Sequence, residues 1–183
     1  MKKRFRVDIP QRGGKIAIIG YSGSGKSTLA VFLGEKYGLP VLHVDTIHFL
    51  PGWAEREPED ERGLMRDFLD ENSENGWVID GNYLKLEYER RMNEADLIVF
   101  LSFNRFSCFL RAYKRSRKYK NKVRDSIAPG CEERFDRAFC RWILKEGRTK
   151  PRRQRYYEVV EKHRDKCMVI RNQIQLDRFK KSL

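Results

Sequence analysis

The most specific candidate for chemistry is segment 20–28, whose sequence is Gly-Tyr-Ser-Gly-Ser-Gly-Lys-Ser-Thr. It fills every fixed position of the phosphate-binding loop pattern Gly-x-x-x-x-Gly-Lys-[Ser/Thr]. In such a loop, glycines let the backbone approach phosphates closely, and backbone N–H groups and a helix N-terminus offer partial positive charge. The lysine can reach the β- and γ-phosphates, and the next hydroxyl can bind Mg²⁺. The segment therefore predicts a nucleoside triphosphate site.

The residues that flank this segment support the assignment. Segment 15–19 is short, apolar and rich in β-branched residues, which is typical of a buried strand. Apolar residues then recur at helical spacing as far as Tyr37, and Gly38 and Pro40 end that helix. A strand, a loop and a helix in this order are the context that the pattern requires. The predicted nucleotide-binding residues are Gly20, Ser22, Gly23, Ser24, Gly25, Lys26, Ser27 and Thr28.

Two aspartates follow predicted strands. Asp80 closes an apolar run as a Walker B carboxylate does, so Ser27 and Asp80 are the predicted Mg²⁺ residues. The alternative is that Asp80 only caps the turn that follows it. Asp45 is a candidate for orienting an acceptor hydroxyl or for a second Mg²⁺ contact, and is equally consistent with a cap. Because ligands bind at the carboxyl ends of parallel strands, Gly20, Asp45 and Asp80 are expected along one crevice.

Polar and aromatic residues near these aspartates are candidates for an acceptor pocket. His48, Trp53 and Asn82 are the predicted acceptor residues besides Asp45, with the Trp53 ring as a platform for a base or another ring. Ordinary packing explains His48 and Trp53 equally well. His43, inside a predicted strand, is interpreted as structural, and His163 as a residue of a helix surface.

Basic residues are concentrated in the second half of the chain. The formal net charge is +13, and segment 105–124 contains nine Lys and Arg residues. Arg111 and Arg115 are four positions apart and share one helix face, where planar guanidinium groups can bind phosphate through two hydrogen bonds. A second stripe consists of Arg134, Arg137 and Arg141. A solvated basic face is the alternative for each stripe, and a nucleic-acid partner is the alternative for segment 105–124.

The arrangement of predicted elements indicates one α/β domain over residues 1–183. Strands predicted at 15–19, 40–44, 76–80, 97–101 and 167–170 alternate with helices, which favours a parallel sheet with helices on both faces. A lead-in edge strand is predicted near 5–9, and segment 46–53 is predicted to be irregular.

Composition limits the class of protein. The chain has 183 residues, of which 40% are hydrophobic and 36% charged, as expected for a globular protein. No apolar run approaches the roughly 18 residues that span a bilayer. The N-terminal segment is basic but lacks the apolar part of a secretory signal. The four cysteines are scattered without a Cys-x-x-Cys pair, which predicts reduced thiols and a cytoplasmic location.

Several segments together resemble a known family. They are residues 20–28, His43-Val44-Asp45 with Pro51-Gly52-Trp53, residues 77–83, and Gly130-Cys131 with residues 133–136. The sequence resembles the adenylate-kinase-like P-loop kinases and, more closely, the bacterial DNA topology modulation proteins. The resemblance implies a three-layer P-loop NTPase fold with a five-stranded parallel sheet in the order 2-3-1-4-5 and a small helical lid.

The resemblance also implies roles for individual residues. Asp80 would orient Mg²⁺, Arg111 and Arg115 would contact the transferred phosphates, and Arg134 or Arg137 would reach in from a basic lid at about 119–141. The acceptor-site segment would be about 45–75. Adenylate kinases continue Asp-Gly with Phe-Pro-Arg, whereas Asn82-Tyr83-Leu84 follows here. AMP is therefore not supported as the acceptor.

Two functional hypotheses follow. In the first, an ATP- and Mg²⁺-dependent kinase transfers the γ-phosphoryl group to a small molecule such as a nucleoside or nucleotide. Its predicted catalytic residues are Lys26, Arg111, Arg115, Asp45 and Arg137. In the second, a nucleotide-gated regulator that affects DNA topology binds nucleic acid through basic segment 105–124.

Overall fold

The computed structural model describes residues 13–119, 126–133 and 135–183. Along the chain, the strands are β1 (Lys15–Gly20), β2 (Val41–His43), β3 (Phe49–Leu50), β4 (Ala54–Glu55), β5 (Trp77–Asp80), β6 (Leu97–Leu101) and β7 (Cys167–Ile170). The helices are α1 (Lys26–Tyr37), α2 (Val44–His48), α3 (Pro58–Glu71), α4 (Tyr88–Glu94), α5 (Arg105–Lys118), α6 (Arg137–Leu144), α7 (Lys150–Lys162) and α8 (Gln173–Ser182). Short 3-10 turns occupy Pro51–Trp53 and Glu146–Arg148.

The central sheet has the strand order β2-β5-β1-β6-β7, and every pairing in it is parallel. Strands β3 and β4 form a separate antiparallel hairpin, so the five sheet strands, counted along the chain, follow the predicted order 2-3-1-4-5. Helix α1 packs on β2 and β5, α4 on β1, and α7 on β7. The strands are almost continuously apolar because helices cover the sheet. The predicted α/β fold class is confirmed.

Two glycines let the strand ends at the site approach each other closely. Gly20 has φ 144°, and a Cβ there would lie 2.5 Å from the backbone oxygen of Leu101. Gly81 has φ 150°, and a Cβ there would lie 2.6 Å from the Cβ of Val44. Side chains at these positions would push apart β1 and β6 in one case, and the end of β5 and α2 in the other.

Some local predictions were wrong. Part of segment 46–53 is helical, since α2 covers residues 44–48, and Asp45 lies in its first turn rather than at the end of a strand. His163 is buried, with 7% of its surface exposed, rather than lying on a helix surface. The predicted edge strand at 5–9, residues 120–125 of the predicted lid and Arg134 lie outside the described residues. No helix in the described part of the chain is long and apolar enough to cross a membrane.

Candidate phosphate and acceptor site

The phosphate-binding loop joins β1 to α1. Gly25 adopts a left-handed conformation with φ 96°, and among the described residues no side chain caps the N-terminus of α1. The ammonium group of Lys26 donates to the backbone oxygens of Gly20 at 3.1 Å and Tyr21 at 3.3 Å. Desolvation lowers the pKa of Lys26, while the charges of Asp80 and Asp45 act in the opposite direction. The loop thus places a lysine and the N-terminus of α1 where phosphates would bind.

The two predicted metal residues are in contact. The Ser27 hydroxyl donates to Oδ2 of Asp80 at 2.9 Å, and Asp80 is buried. Within the described residues, no group of three or more His, Cys, Asp or Glu side chains could hold a metal ion. Mg²⁺ in nucleotide sites is typically bound by one or two carboxylates together with phosphate and water oxygens. The hard oxygens of Ser27 and Asp80 fit that chemistry.

His43 is a site residue that the sequence interpretation missed. Its Nδ1 contacts Oδ1 of Asp80, so hydroxyl and imidazole neighbours flank this carboxylate. His43 is the last residue of β2 and is in register with Asp80 on β5. The predicted strand order already placed β2 beside β5, and aligning the two strand ends would have revealed the contact.

Asp45 and His48 meet on the acceptor side through Tyr83. Oδ1 of Asp45 accepts a hydrogen bond from the Tyr83 hydroxyl at 2.8 Å, and the rings of His48 and Tyr83 lie 4.4 Å apart. Nδ1 of His48 lies 2.6 Å from Oε2 of Glu61. Burial and the charge of Asp45 raise the pKa of Tyr83, which keeps its hydroxyl protonated. A cavity of about 260 Å³ lies here, lined by residues that include His48, Arg56, Glu61 and Tyr83.

The other two predicted acceptor residues have different surroundings. The Asn82 amide donates to the Gly20 oxygen at 2.6 Å and accepts from the Gly20 nitrogen at 3.0 Å, so it fastens the start of the phosphate loop. The Trp53 indole donates to the Glu132 oxygen at 3.0 Å and packs on Phe49. Trp53 therefore joins hairpin β3–β4 to the loop 126–133.

The three arginines predicted to be catalytic have different surroundings. Arg111 donates to the Ser24 oxygen in the phosphate loop and lies over the Phe103 ring at 4.5 Å. Arg115 instead pairs with Glu133, at 2.7 Å from its Nε. Arg137 is exposed at the start of α6. Arg111 therefore touches the phosphate loop in the conformation described.

A second set of residues contacts the loop without having been predicted. The Trp142 indole donates to the Ser22 hydroxyl at 3.1 Å, and the Arg148 guanidinium lies 3.7 Å from the centre of the Tyr21 ring. Tyr156 approaches Gly20 with its hydroxyl at 3.4 Å. These residues come from α6, α7 and the turn between them, far along the chain, and no local motif marks them.

Comparisons with known proteins define the class of fold. The structure is similar to shikimate kinase from Acinetobacter baumannii in complex with shikimate, with a TM-score of 0.55, 17% identity, and coverage of 92% of this chain and 89% of that chain. It is also similar to a gluconokinase from Sinorhizobium meliloti 1021, with a TM-score of 0.50, 16% identity, and coverage of 93% and 90%. TT1252 from Thermus thermophilus gives a TM-score of 0.50 at 18% identity, with coverage of 92% and 95%.

This chain has the fold of the P-loop kinases. No protein-family model matches it, and no curated protein matches it. The resemblance to P-loop kinases is confirmed at the level of fold, whereas the closer resemblance to the DNA topology modulation proteins is not confirmed.

Proposed function

We propose that this protein is an ATP- and Mg²⁺-dependent kinase that transfers the γ-phosphoryl group to a hydroxyl of a small molecule. The observation that carries the proposal is the 2.9 Å hydrogen bond between Ser27 of the phosphate loop and Asp80 at the end of β5. Asp45, bonded to Tyr83, supplies a second carboxylate on the acceptor side. A nucleotide switch or motor would also need Ser27 and Asp80, but it would not need an acceptor pocket.

In this proposal, the loop side handles the phosphates. Phosphoryl transfer depends mainly on positioning and on neutralising the charge of the moving group. Lys26 would exchange its hydrogen bonds with the Gly20 and Tyr21 oxygens for bonds to phosphate oxygens. Mg²⁺, held by Ser27 and Asp80, would neutralise phosphate charge. Arg111 already touches the loop, whereas Arg115 would have to leave Glu133 to reach the phosphates.

On the acceptor side, Asp45 would accept the proton of the attacking hydroxyl. In the structure, Oδ1 of Asp45 accepts a hydrogen bond from the Tyr83 hydroxyl. The hydroxyl of the bound substrate would replace Tyr83 as the donor or donate beside it. His48 and Glu61 add further hydrogen-bonding groups beside the cavity. Such a lining suits a molecule with several hydroxyls. Nucleosides and nucleotides are the first candidates, and hydroxylated acids join them because two proteins with this fold are called shikimate kinase and gluconokinase.

The test is ATP consumption measured against a panel of nucleosides, nucleotides, sugars and hydroxylated acids. We expect one class to stimulate turnover, and Lys26→Ala and Asp80→Asn to lower kcat at least about 100-fold. Lys36→Ala, in the last turn of the same helix as Lys26, is the control and should retain activity. If no acceptor raises ATP consumption above the rate of hydrolysis, the kinase assignment is wrong.

A second candidate function is nucleotide-gated nucleic-acid binding, within the DNA topology modulation family. It is favoured by the exposed basic residues of α5, which are Arg105, Lys114, Arg117 and Lys118. It predicts affinity for DNA that falls steeply with salt concentration. Undetectable binding at moderate ionic strength would exclude it. The cytoplasmic location, the single-domain organisation, and lid closure through Arg137 also remain proposals.

A further inference from the structure

A cavity of about 320 Å³ lies beside the phosphate loop, and Asp45 is not among the residues that line it. We call it the α6–α7 cavity, because those helices and the turn between them form one wall. The segment after β5 forms another wall, and Tyr21 and Ser22 of the phosphate loop complete it. Leu84 and Lys85 line both this cavity and the acceptor-side cavity, so the two are neighbours.

The charged side chains known to line the α6–α7 cavity are all basic. Lys85, Arg148, Arg152 and Arg155 line it, and no carboxylate does so among the residues that the structure describes. Arg148 lies over Tyr21, and Arg152 lies over the Trp142 ring at 4.5 Å. Neither Lys85 nor Arg155 forms an ion pair within the described residues. This concentration of cations without counter-charges favours an anionic occupant.

The other walls of the cavity are aromatic. Tyr21, Tyr88, Trp142 and Tyr156 line it. Tyr156 stacks on Phe100 with ring centres 4.6 Å apart, and Trp142 is fixed by its bond to Ser22. Burial raises the pKa of Tyr88 to about 12, so its hydroxyl stays protonated. Fixed aromatic faces lose little conformational freedom when a flat ring packs on them.

We propose that the α6–α7 cavity binds an organic anion, a phosphate or carboxylate, that carries a flat ring. The cations hold the anionic group, and the aromatic side chains pack on the ring. Because Tyr21 and Ser22 belong to both the cavity and the phosphate loop, the occupant touches the nucleotide site directly. This binding does not require that the protein be a kinase.

The probe is phenyl phosphate, compared with inorganic phosphate and with phenol by isothermal titration calorimetry on the full chain. We expect phenyl phosphate to bind at least about tenfold more tightly than either fragment, which is about 1.4 kcal/mol. The double variant Lys85→Gln/Arg155→Gln should weaken that binding about tenfold. Arg153→Gln, which removes one charge from the same helix as Arg155 but lies outside the cavity lining, should weaken it far less.

A second variant tests whether phenyl phosphate binds in this cavity or in the phosphate loop. Lys26→Ala should retain phenyl phosphate binding, because Lys26 does not line the cavity. If Lys26→Ala abolishes binding while the double variant leaves it intact, the loop is the binding site and the proposal is wrong. Equal affinities for phenyl phosphate and inorganic phosphate would also overturn it.

Competition experiments distinguish an anion that belongs to the phosphoryl acceptor from one that belongs to a separate effector. An acceptor found in the activity panel should displace phenyl phosphate in the first case, and both should bind together in the second. Both results require binding in the cavity. The absence of any acceptor would contradict the kinase proposal and leave the calorimetric test of the cavity intact.

Discussion

The carboxylate of Asp80 is held from two sides by groups of different chemistry. Ser27 donates a hydroxyl to one oxygen, and the His43 ring contacts the other. Groups that orient a metal-binding carboxylate commonly change metal affinity when they are removed, although they never touch the metal. In the proposed metal site, His43 would therefore act as a positioning residue for Asp80.

Replacing His43 should weaken the affinity of the protein for Mg²⁺ without destroying the fold. For His43→Ala, we expect the Mg²⁺ concentration at half-maximal ATP turnover to rise about 10- to 100-fold. His48→Ala is the matched control, because the His48 side chain is also mostly buried but contacts Glu61 rather than Asp80. An unchanged Mg²⁺ requirement in His43→Ala would show that Asp80 is oriented without the imidazole.

A substitution of Asn82 tests whether this residue supports the phosphate loop or binds substrate. Asn82→Asp keeps the oxygen that accepts from the Gly20 nitrogen but places a carboxylate against the Gly20 oxygen. We expect the free energy of unfolding to fall by about 1–2 kcal/mol and nucleotide affinity to drop. Calorimetric unfolding and nucleotide titration measure both effects.

The control for this change lies at the cap of α8. Asn172→Asp should be nearly neutral, because Asn172 only accepts a hydrogen bond there and aspartate caps helices equally well. A rise in acceptor KM alone in Asn82→Asp would instead support the substrate role expected from the sequence.

The residues of the phosphate loop were predictable because they occupy consecutive positions that together match one sequence pattern. Lys26, Ser27 and Asp80 follow from local patterns, and the structure brings Ser27 and Asp80 together. The contacts of His43 and Asn82 were not predicted because their partners lie 37 and 62 positions away in the chain. No local pattern encodes such contacts, which appear only when strand register is known.

At the scale of elements, α4 fixes the segment that follows β5. Arg91 on this helix is buried and donates to the Gly81 oxygen at 3.3 Å and the Tyr83 oxygen at 2.8 Å. Burial lowers the pKa of Arg91 to about 10, so the side chain remains charged near neutral pH. The position of Tyr83, and through it of Asp45, thus depends on a helix outside the site.

Removing this arginine should destabilise the protein markedly. We expect Arg91→Met to lower the free energy of unfolding by about 3 kcal/mol, because two backbone oxygens lose charged donors in a buried place. Arg90→Met is the control, since Arg90 forms more exposed ion pairs with Asp70 and Glu94 and should cost less than about 1 kcal/mol. Equal losses in urea unfolding would contradict a special role for Arg91.

His163, at the C-terminal end of α7, makes the stability of the protein depend on pH. Burial, followed by the charges of Lys166 and Lys162, lowers the pKa of His163 below its ordinary value of 6.5. The unfolded chain therefore binds a proton at higher pH than the folded chain does. Stability from this residue is complete above about pH 6.5 and declines as the pH falls below that, with a slope of at most about 1.4 kcal/mol per pH unit.

Comparison with His163→Gln measures this contribution. The free energy of unfolding of the original chain should fall more steeply between pH 7 and pH 5 than that of the variant. Carboxylates titrate in both proteins, so the difference between the two curves isolates His163. Parallel curves would mean that the fold does not disfavour the charged imidazole.

The sequence predicted the bounds of two strands correctly but did not predict the short helix α2. Strands β6 and β7 have the predicted bounds, because each is an apolar run between polar residues. Helix α2 was missed because its five residues are too few to show a helical period. Its position depends on close packing of Val44 against Gly81, a tertiary contact.

At the scale of the whole molecule, hairpin β3–β4 and the loop 126–133 meet at one interface. The Gly52 nitrogen donates to the Gly130 oxygen at 3.3 Å, and the Cys131 thiol donates to the Leu50 oxygen at 3.2 Å. Trp53 and Phe49 pack on the buried cluster of Ile127, Ala128 and Cys131. Hairpin β3–β4 therefore holds the loop 126–133 in place, although the two are more than 70 positions apart in the chain.

Trp53→Phe tests this interface with little disturbance. The variant keeps an aromatic ring against Phe49 but loses the indole donor to the Glu132 oxygen. One hydrogen bond contributes about 0.5–1.5 kcal/mol, so backbone amides of loop 126–133 should exchange hydrogen about 2- to 10-fold faster. Trp142→Phe removes a comparable indole bond, to Ser22, and should leave that exchange unchanged. Because hydrogen exchange needs no turnover, an equal effect of both variants would disprove the interface role of Trp53 whatever the acceptor is.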